Sequence, residues 1–198
     1  MRKPSVDIQD LLIRIGERDD MTAYEKFYYH FYTPLFNFAL SIVDSRQQAE
    51  EIVSDVFVKI WRSRKTLLKI NNISTYLYTC VRNGAIDYLN RMRKHEIIHF
   101  SPTDYKDVFI ELRNPSDHCI STDLMKKIND AINQLPSQCK VIFKLVKEDG
   151  LSYKQVAEIM HLSPLTVRNQ LAIAIRRMGE ILPEHIYNDS GSGKREKV

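Results

Sequence analysis

Apolar side chains recur along most of this chain with the 3.6-residue period of an α-helix. The stretch Met21–Tyr32 carries aromatic residues at i, i+3, i+4 and i+7 and is therefore predicted to be helical. Proline lacks the backbone N–H that a helix interior needs, so we predict a break at Pro34 and a separate short helix over Leu35–Val43. The same pattern predicts three further helices in the first half of the chain, Ser5–Glu17, Arg46–Arg64 and Ser74–His95, the last of them capped by Ser74. Since glycine is also scarce, with six residues, the fold class is predicted to be all-α.

The helical pattern fails over residues 96–120, where two prolines and several Asp and Ser residues interrupt it. We predict a flexible acidic linker there, joining a domain of residues 1–95 to a domain of residues 121–182, with a disordered tail at 183–198. Residues 1–95 carry 15 Lys and Arg against 11 Asp and Glu, the linker two against five, and residues 121–198 twelve against nine. Both predicted domains therefore carry excess positive charge, and the linker between them is acidic. This distribution indicates two separate nucleic-acid contacts.

The second domain ends in a predicted helix-turn-helix, Leu151–Arg177. Ser152 and Gln155 have the spacing of a capping box, and Ser163-Pro164 is typical of the cap and first residue of a second helix. That helix has a narrow apolar stripe, made by Val167, Leu171, Ala174, Ile175 and Met178. Its opposite face carries Leu165, Arg168, Asn169, Ala172 and Arg176. A short helix with one buried stripe and a basic outer face can enter a DNA major groove, although two ordinary helices with a solvated face would show the same pattern.

A second basic segment lies in the first domain, where the predicted loop Ser63–Asn72 is followed by the helix Tyr76–Lys94. Cations and amides alternate there with the rings of Tyr76, Tyr78 and Tyr88, a combination that holds phosphates and stacks unpaired bases. The alternative is a core helix with a solvated basic face and buried rings. We predict a buried side for this helix made by Tyr76, Cys80, Ala85 (or Gly84), Tyr88 and Met92.

The cysteine spacing, the apolar segments and the short motifs of the chain disfavour several classes of protein. The cysteines, Cys80, Cys119 and Cys139, form no C-x-x-C pair, so neither a disulfide framework nor a zinc ribbon is indicated. The amino terminus has no uninterrupted apolar core, and no stretch is long enough to cross a bilayer, so we expect a cytoplasmic protein without direct membrane insertion. No phosphate loop, calcium loop or nucleophile elbow appears, and no cofactor is expected.

One short motif favours a different class of protein. His95-Glu96-x-x-His99 matches the zinc-binding pattern of metallohydrolases, in which the glutamate acts as a general base. Such a site also needs a third ligand and a supporting fold, and the residues after His99 lack the glycine and histidine of the extended motif. A zinc hydrolase is therefore a remote alternative, and we expect that the protein is not an enzyme.

Three segments, in this order, resemble the extracytoplasmic-function (ECF) sigma factors of bacterial RNA polymerase. They are the polymerase-binding helix (Ala49–Arg64), the promoter-melting helix (Ser74–Lys94) and the carboxy-terminal promoter-binding domain (Ile132–Leu171). The resemblance implies a monomeric factor that binds core RNA polymerase and directs promoter-specific initiation by recognising and melting promoter DNA. It also implies an anti-sigma partner. The alternative that the residues leave open is a stand-alone dimeric helix-turn-helix regulator.

The resemblance also assigns roles to individual positions. Docking on the clamp of the largest polymerase subunit would involve Glu51, Asp55, Phe57, Lys59 and Trp61, of which Phe57 and Trp61 could instead belong to the core. The downstream promoter element would be held by Lys65, Lys69, Asn71, Asn72, Tyr76, Arg82, Asn83 and Arg91. The upstream element would be read by Thr166, Arg168, Asn169, Ala172, Ile173 and Arg176. Ile173 departs from the family, because many members have a basic residue there.

Overall fold

A computed structural model describes residues 7–97 and 122–181, with the side chains of 7–92 and 127–181. Every regular element in these ranges is helical, so the all-α prediction is confirmed. The chain divides into two compact units. The first contains α1 (Ile8–Arg18), α2 (Met21–Val43), α3 (Arg46–Arg62), the short 3₁₀ helix η1 (Arg64–Lys69) and α4 (Ile73–Ile97). The second contains α5 (Thr122–Asn133), α6 (Ser137–Lys147), α7 (Tyr153–Met160) up to Ala157, and α8 (Pro164–Ile181). Most of the predicted linker and the tail lie outside the described residues.

Helix α2 is the centre of the first unit and packs against both α3 and α4. Asp20 caps its start, accepting hydrogen bonds from the backbone N–H groups of Thr22 and Ala23 at 2.9 and 3.1 Å. The Thr22 hydroxyl and the Arg14 guanidinium also donate to this carboxylate and hold the pKa of Asp20 well below its usual range. The end of α1 is thereby tied to the start of α2.

The predicted break at Pro34 is wrong, because α2 runs through it without interruption. A proline inside a helix costs about 3 kcal/mol. The buried stripe continues across the proline, with Phe27 and Phe31 before it and Leu35 and Phe38 after it. Each such side chain contributes about 1.5–3 kcal/mol when buried. Burial on both sides therefore outweighs the local cost.

The segment predicted as a basic loop is partly helical. Its residues 64–69 form η1, and one of them, Leu67, is completely buried, with 0% of its surface exposed. Helix α1 packs closely on this turn, since a Cβ atom on Gly16 would lie 3.1 Å from the carbonyl oxygen of Arg64. Helix α4 then begins at Ile73, and its cap is Asn72, whose Oδ1 accepts from the N–H of Thr75 at 3.0 Å. The cap predicted at Ser74 is therefore wrong by two residues.

The predicted buried side of α4 is also wrong in most positions. The buried stripe is aliphatic and repeats every four residues, at Ile73, Leu77, Val81 and Ala85. Of the predicted set, Ala85 is buried, whereas the other four are half-buried or exposed. Tyr76 and Tyr88 are only half-buried, which suits side chains that carry a polar hydroxyl group, whereas aliphatic side chains lose no hydrogen bond on complete burial. The aromatic pattern was therefore a poor guide to the core face of α4.

In the second unit α8 packs on α6, and the core contains residues from α5, α6 and α8. Its buried members include Ala131, Ile132, Leu135, Cys139, Ala174 and Met178. The Cys139 thiol donates a hydrogen bond to Oε1 of Gln170 at 2.9 Å. Burial raises the pKa of the Cys139 thiol, which favours the protonated form that this bond requires.

Candidate nucleic-acid and protein interfaces

Helix α3 presents a charged face to solvent. Glu51, Asp55 and Lys59 are all exposed, whereas Phe57 is 2% exposed and lies on the opposite side. The Phe57 ring contacts the rings of Phe27 and Tyr28 with centroid distances of 6.3 and 4.6 Å. Of the two roles that the sequence left open for Phe57, the structure therefore places it in the core.

Trp61 lies at the edge of this face and is half-buried. Its ring packs on Tyr24, with the centroids 4.9 Å apart, and the Arg64 guanidinium lies 4.5 Å from the ring centroid. The Tyr24 hydroxyl donates to the carbonyl oxygen of Phe57 at 2.8 Å, and burial raises the pKa of Tyr24 to about 12. Trp61 is thus held on both sides, with part of its surface left for a partner.

The exposed faces of α3 and α4 meet in an open groove of about 710 Å³. Asp55 and Lys59 line it from α3, and Asn83, Asp87 and Arg91 line it from α4. The two helices approach closely at Gly84, where an added Cβ would lie 3.1 Å from a methyl carbon of Ile52. The structure therefore brings together residues predicted to bind protein and residues predicted to bind nucleic acid.

The η1 segment contains cations with different roles. The Arg64 guanidinium donates to the Asp19 carboxylate and to the carbonyl oxygen of Trp61, the latter at 3.0 Å. This pairing lowers the pKa of the Asp19 carboxyl. Lys65 and Lys69 are exposed, so their ammonium groups face solvent, and Asn71 is exposed next to them. The segment thus presents two lysines outward, while Arg64 fastens it to the rest of the unit.

The predicted strand-binding residues of α4 differ in accessibility. Asn83 and Arg91 are exposed, whereas Tyr76 and Arg82 are half-buried. Arg82 donates to Oδ1 of Asn83 at 3.4 Å, which places the two side chains together. Burial and the neighbouring Cys80 raise the pKa of the Tyr76 hydroxyl, so this ring remains neutral.

Two predicted candidates on this side of the unit have other roles. Tyr78 is buried with its ring on Phe38, at a centroid distance of 5.2 Å, and so provides no stacking platform. Asn72 is exposed, and its side-chain oxygen caps α4 by accepting from the N–H of Thr75.

The helix-turn-helix forms with the predicted caps. The Ser152 N–H donates to Oε1 of Gln155 at 2.9 Å, and the Gln155 N–H donates to Oγ of Ser152 at 3.3 Å. His161 takes a left-handed backbone conformation in the turn, with φ of 54°. Ser163 then accepts from the N–H of Thr166 at 3.0 Å and caps α8. The start of each helix is therefore set by side chains within three residues of it.

Helix α8 separates its buried and exposed sides clearly. The buried residues are Val167, Leu171, Ala174 and Met178. Of the six residues predicted to read the upstream element, four are exposed, Arg168, Asn169, Ala172 and Arg176. Thr166 is half-buried, with its hydroxyl 2.8 Å from that of Ser163, and Ile173 packs partly against the core. The hydrophobic side chain of Ile173 is thus explained by its position next to the core.

The zinc motif extends beyond the part of the chain that the structure describes, since His99 and the side chains of His95 and Glu96 are not included. Within residues 7–92 and 127–181, no group of three His, Cys, Asp or Glu side chains could hold a metal ion. None of the helices in the described ranges is long and apolar enough to cross a membrane.

Comparison with known proteins identifies both units. Residues 27–95 match the family model for sigma-70 region 2, and residues 125–178 match that for sigma-70 region 4. The chain is 31% identical to the ECF RNA polymerase sigma-E factor of Haemophilus influenzae over 133 residues, covering 64% of this chain and 70% of that protein. It is 26% identical to the sigma factor SigV of Bacillus subtilis over 143 residues, covering 72% of this chain and 81% of that protein.

A solved structure has the same fold. The sigma factor RpoE of Bartonella quintana, in a complex with the anti-sigma factor NepR, superposes with a TM-score of 0.59 at 21% identity, covering 80% of this chain and 95% of that one. These matches define the class as sigma factors, and the chain belongs to their ECF family. Its function is to direct promoter-specific transcription initiation. The zinc-hydrolase and stand-alone-regulator alternatives are not favoured.

Proposed function

We propose that the protein binds core RNA polymerase through α3, holds the melted downstream element with η1 and α4, and reads duplex DNA of the upstream element with α8. The observation that carries this proposal is the separation of faces on α8. Arg168, Asn169 and Arg176 point outward from a helix whose other side is fully packed. Such a helix can present amide and guanidinium donors to base edges without loss of its core.

The polymerase contact follows from the charge of α3. Glu51, Asp55 and Lys59 are exposed next to the partly open ring of Trp61, and a half-open aromatic ring with charged neighbours is typical of a protein interface. The proposed partner surface is the clamp coiled coil of the largest polymerase subunit. Because Asp55 and Lys59 also line the groove with α4, polymerase bound there would border the proposed DNA strand.

The single-strand contact would be made by η1, the residues just after it and α4. Lys65 and Lys69 are exposed on η1, Asn71 is exposed just after it, and Asn83 and Arg91 are exposed on α4. These cations would hold phosphates, while the half-buried ring of Tyr76 offers a surface for one base. Two weak DNA contacts gain avidity once polymerase fixes their spacing.

The proposal includes a domain of residues 1–95 for polymerase and the downstream element, and a domain of residues 121–182 for the upstream element. We further propose that the protein acts as a monomer in the cytoplasm and that it binds an anti-sigma partner. Support for that partner comes from two proteins of similar fold. RpoE is bound to NepR, and CnrH, with a TM-score of 0.56 at 15% identity, is bound to the cytosolic domain of CnrY.

The test separates DNA recognition from polymerase binding. Arg168→Ala and Asn169→Ala should weaken promoter binding by the holoenzyme, because each removes a donor from the outer face of α8. Loss of one good base contact corresponds to about 1–3 kcal/mol. Affinity for core polymerase should be unchanged in both variants.

Arg177→Ala is a matched control. Arg177 is also exposed on α8, but its charge lies close enough to Cys139 to influence the thiol pKa, which places it towards α6. The control should retain most of the promoter affinity. Equal losses for Arg168→Ala and Arg177→Ala, or loss of polymerase binding in the α8 variants, would contradict the assignment.

A further inference from the structure

Leu165 is a large apolar side chain in the first turn of α8, and it is 59% exposed. A single exposed leucine needs no explanation by itself. This one, however, follows directly on the cap of the helix proposed to read DNA, at the end where recognition helices contact base edges.

The helical geometry places Leu165 on the line of the predicted base-reading residues. Successive residues of an α-helix are separated by about 100°. Asn169, Ala172 and Arg176 follow Leu165 at i+4, i+7 and i+11, so all three lie within about 40° of it around the axis. The four residues are exposed and lie opposite the buried stripe of α8. Leu165 therefore belongs to the outer face that the proposed function assigns to DNA.

The backbone that carries Leu165 is held by the residues on either side of it. The Ser163 side chain accepts from the N–H of Thr166, and the two hydroxyl groups are 2.8 Å apart. Pro164, between the cap and Leu165, restricts φ to the helical value. The backbone of the first turn is therefore ordered before binding, so little backbone entropy is lost when a contact forms there.

The chemistry of leucine limits what it can contact. Its side chain neither donates nor accepts hydrogen bonds, so it gains nothing from the polar edges of guanine, adenine or cytosine. The C5-methyl of thymine is the apolar group that base pairs expose in the major groove. We infer that Leu165 is a specificity-determining residue that packs on a thymine methyl in the upstream promoter element. This inference rests on the proposed function of α8.

The test removes only the methyl group, by replacing each upstream-element thymine in turn with deoxyuridine. Burial of one methyl group corresponds to about 0.8 kcal/mol, or about fourfold in affinity. For the holoenzyme with the unaltered protein, at least one replacement should weaken promoter binding about fourfold. With Leu165→Ala, binding to the thymine promoter should fall by a similar factor, and the same replacement should have no further effect.

Two variants complete the design. Leu165→Gln keeps the length of the side chain and removes its apolar character, so it should also abolish the sensitivity to deoxyuridine. Ile181→Ala removes another exposed apolar side chain of α8, about 24 Å further along the helix, and should leave that sensitivity intact. Because Leu165 is exposed, all of these proteins should unfold at the same temperature.

The outcomes distinguish this inference from the proposed function. Sensitivity to deoxyuridine that persists in both Leu165 variants, or that is absent from the unaltered protein while Arg168→Ala still weakens binding, would overturn the role of Leu165 alone. Promoter binding that depends on neither Arg168 nor the upstream sequence would overturn the proposed function of α8 itself.

Discussion

Replacing Leu67 with alanine should destabilise the first unit, because this side chain anchors η1. Leu67 is 0% exposed, in a short turn on which α1 packs. A buried Leu→Ala substitution loses the transfer free energy of the side chain and leaves a cavity, together about 2–5 kcal/mol. For a unit of this size each kcal/mol lowers the melting temperature by about 4–8 °C, so we expect a decrease of at least about 8 °C.

The neighbouring residue provides the matched control. Leu68 has the same chemistry and the same turn but is 42% exposed, so Leu68→Ala should cost less than about 1 kcal/mol. The assays are thermal denaturation, which gives the melting temperature, and urea denaturation, which gives the free energy of unfolding, both followed by fluorescence. The chain has a single tryptophan, Trp61, which packs beside Arg64 at the start of η1 and therefore reports on the first unit. Equal destabilisation by both substitutions, or a loss below about 1 kcal/mol for Leu67→Ala, would refute the buried anchor and favour an open loop.

Three further predictions concern charge, capping and pH. Lys65→Ala and Lys69→Ala should each reduce the slope of log affinity against log salt for single-stranded promoter DNA by about 0.7, while Arg64→Ala should lower the melting temperature and leave that slope unchanged. Ser163→Ala should destabilise the first turn of α8 by about 0.5–2 kcal/mol, measured as faster amide hydrogen exchange there, and unchanged exchange would contradict the cap. The pKa of Tyr24 is raised from 10.0 to about 12 in the folded protein, so its contribution to stability is complete below pH 10 and is lost as the pH rises through 12. Tyr24→Phe should remove the corresponding loss of stability between pH 10 and pH 12, measured by urea denaturation. An unchanged dependence of stability on pH would contradict the assignment to Tyr24.

The second unit was the more predictable from sequence. Ser152, Gln155 and Ser163 form their hydrogen bonds within three residues along the chain, so the sequence alone determines where α7 and α8 begin. The apolar stripe of α8 was likewise predicted correctly apart from Ile175, which is half-buried. Local side-chain chemistry is sufficient in these places because no distant part of the chain opposes it.

The first unit was less predictable because contacts distant in sequence decide its details. Pro34 favours a break locally, but packing on both sides of it keeps α2 continuous. The polar composition of residues 63–72 indicates a loop, but residues 64–69 form a 3₁₀ helix on which α1 packs and in which Leu67 is buried. Gly16 is the sequence signal for this close approach, since a side chain at that position would press on the backbone of Arg64.

Contacts distant in sequence also decide which aromatic residues of the candidate site are buried. Phe57 and Tyr78 are aromatic residues in segments that the sequence predicts to bind partners, and yet both are buried against α2. Periodicity could not distinguish them from Trp61 and Tyr76, which remain half-exposed, because the choice depends on which helix packs on which face. The exposed charged residues, such as Glu51 and Arg168, were easier to place, since charged groups are rarely buried without a partner.

The most direct test of the central claim is transcription in vitro from promoter DNA by purified core RNA polymerase, with and without this protein, together with a core-binding assay. The protein should bind core polymerase, and specific initiation should require it. Arg168→Ala should reduce initiation while core binding persists. Tight binding to duplex promoter DNA with no polymerase association and no initiation would contradict the proposed function.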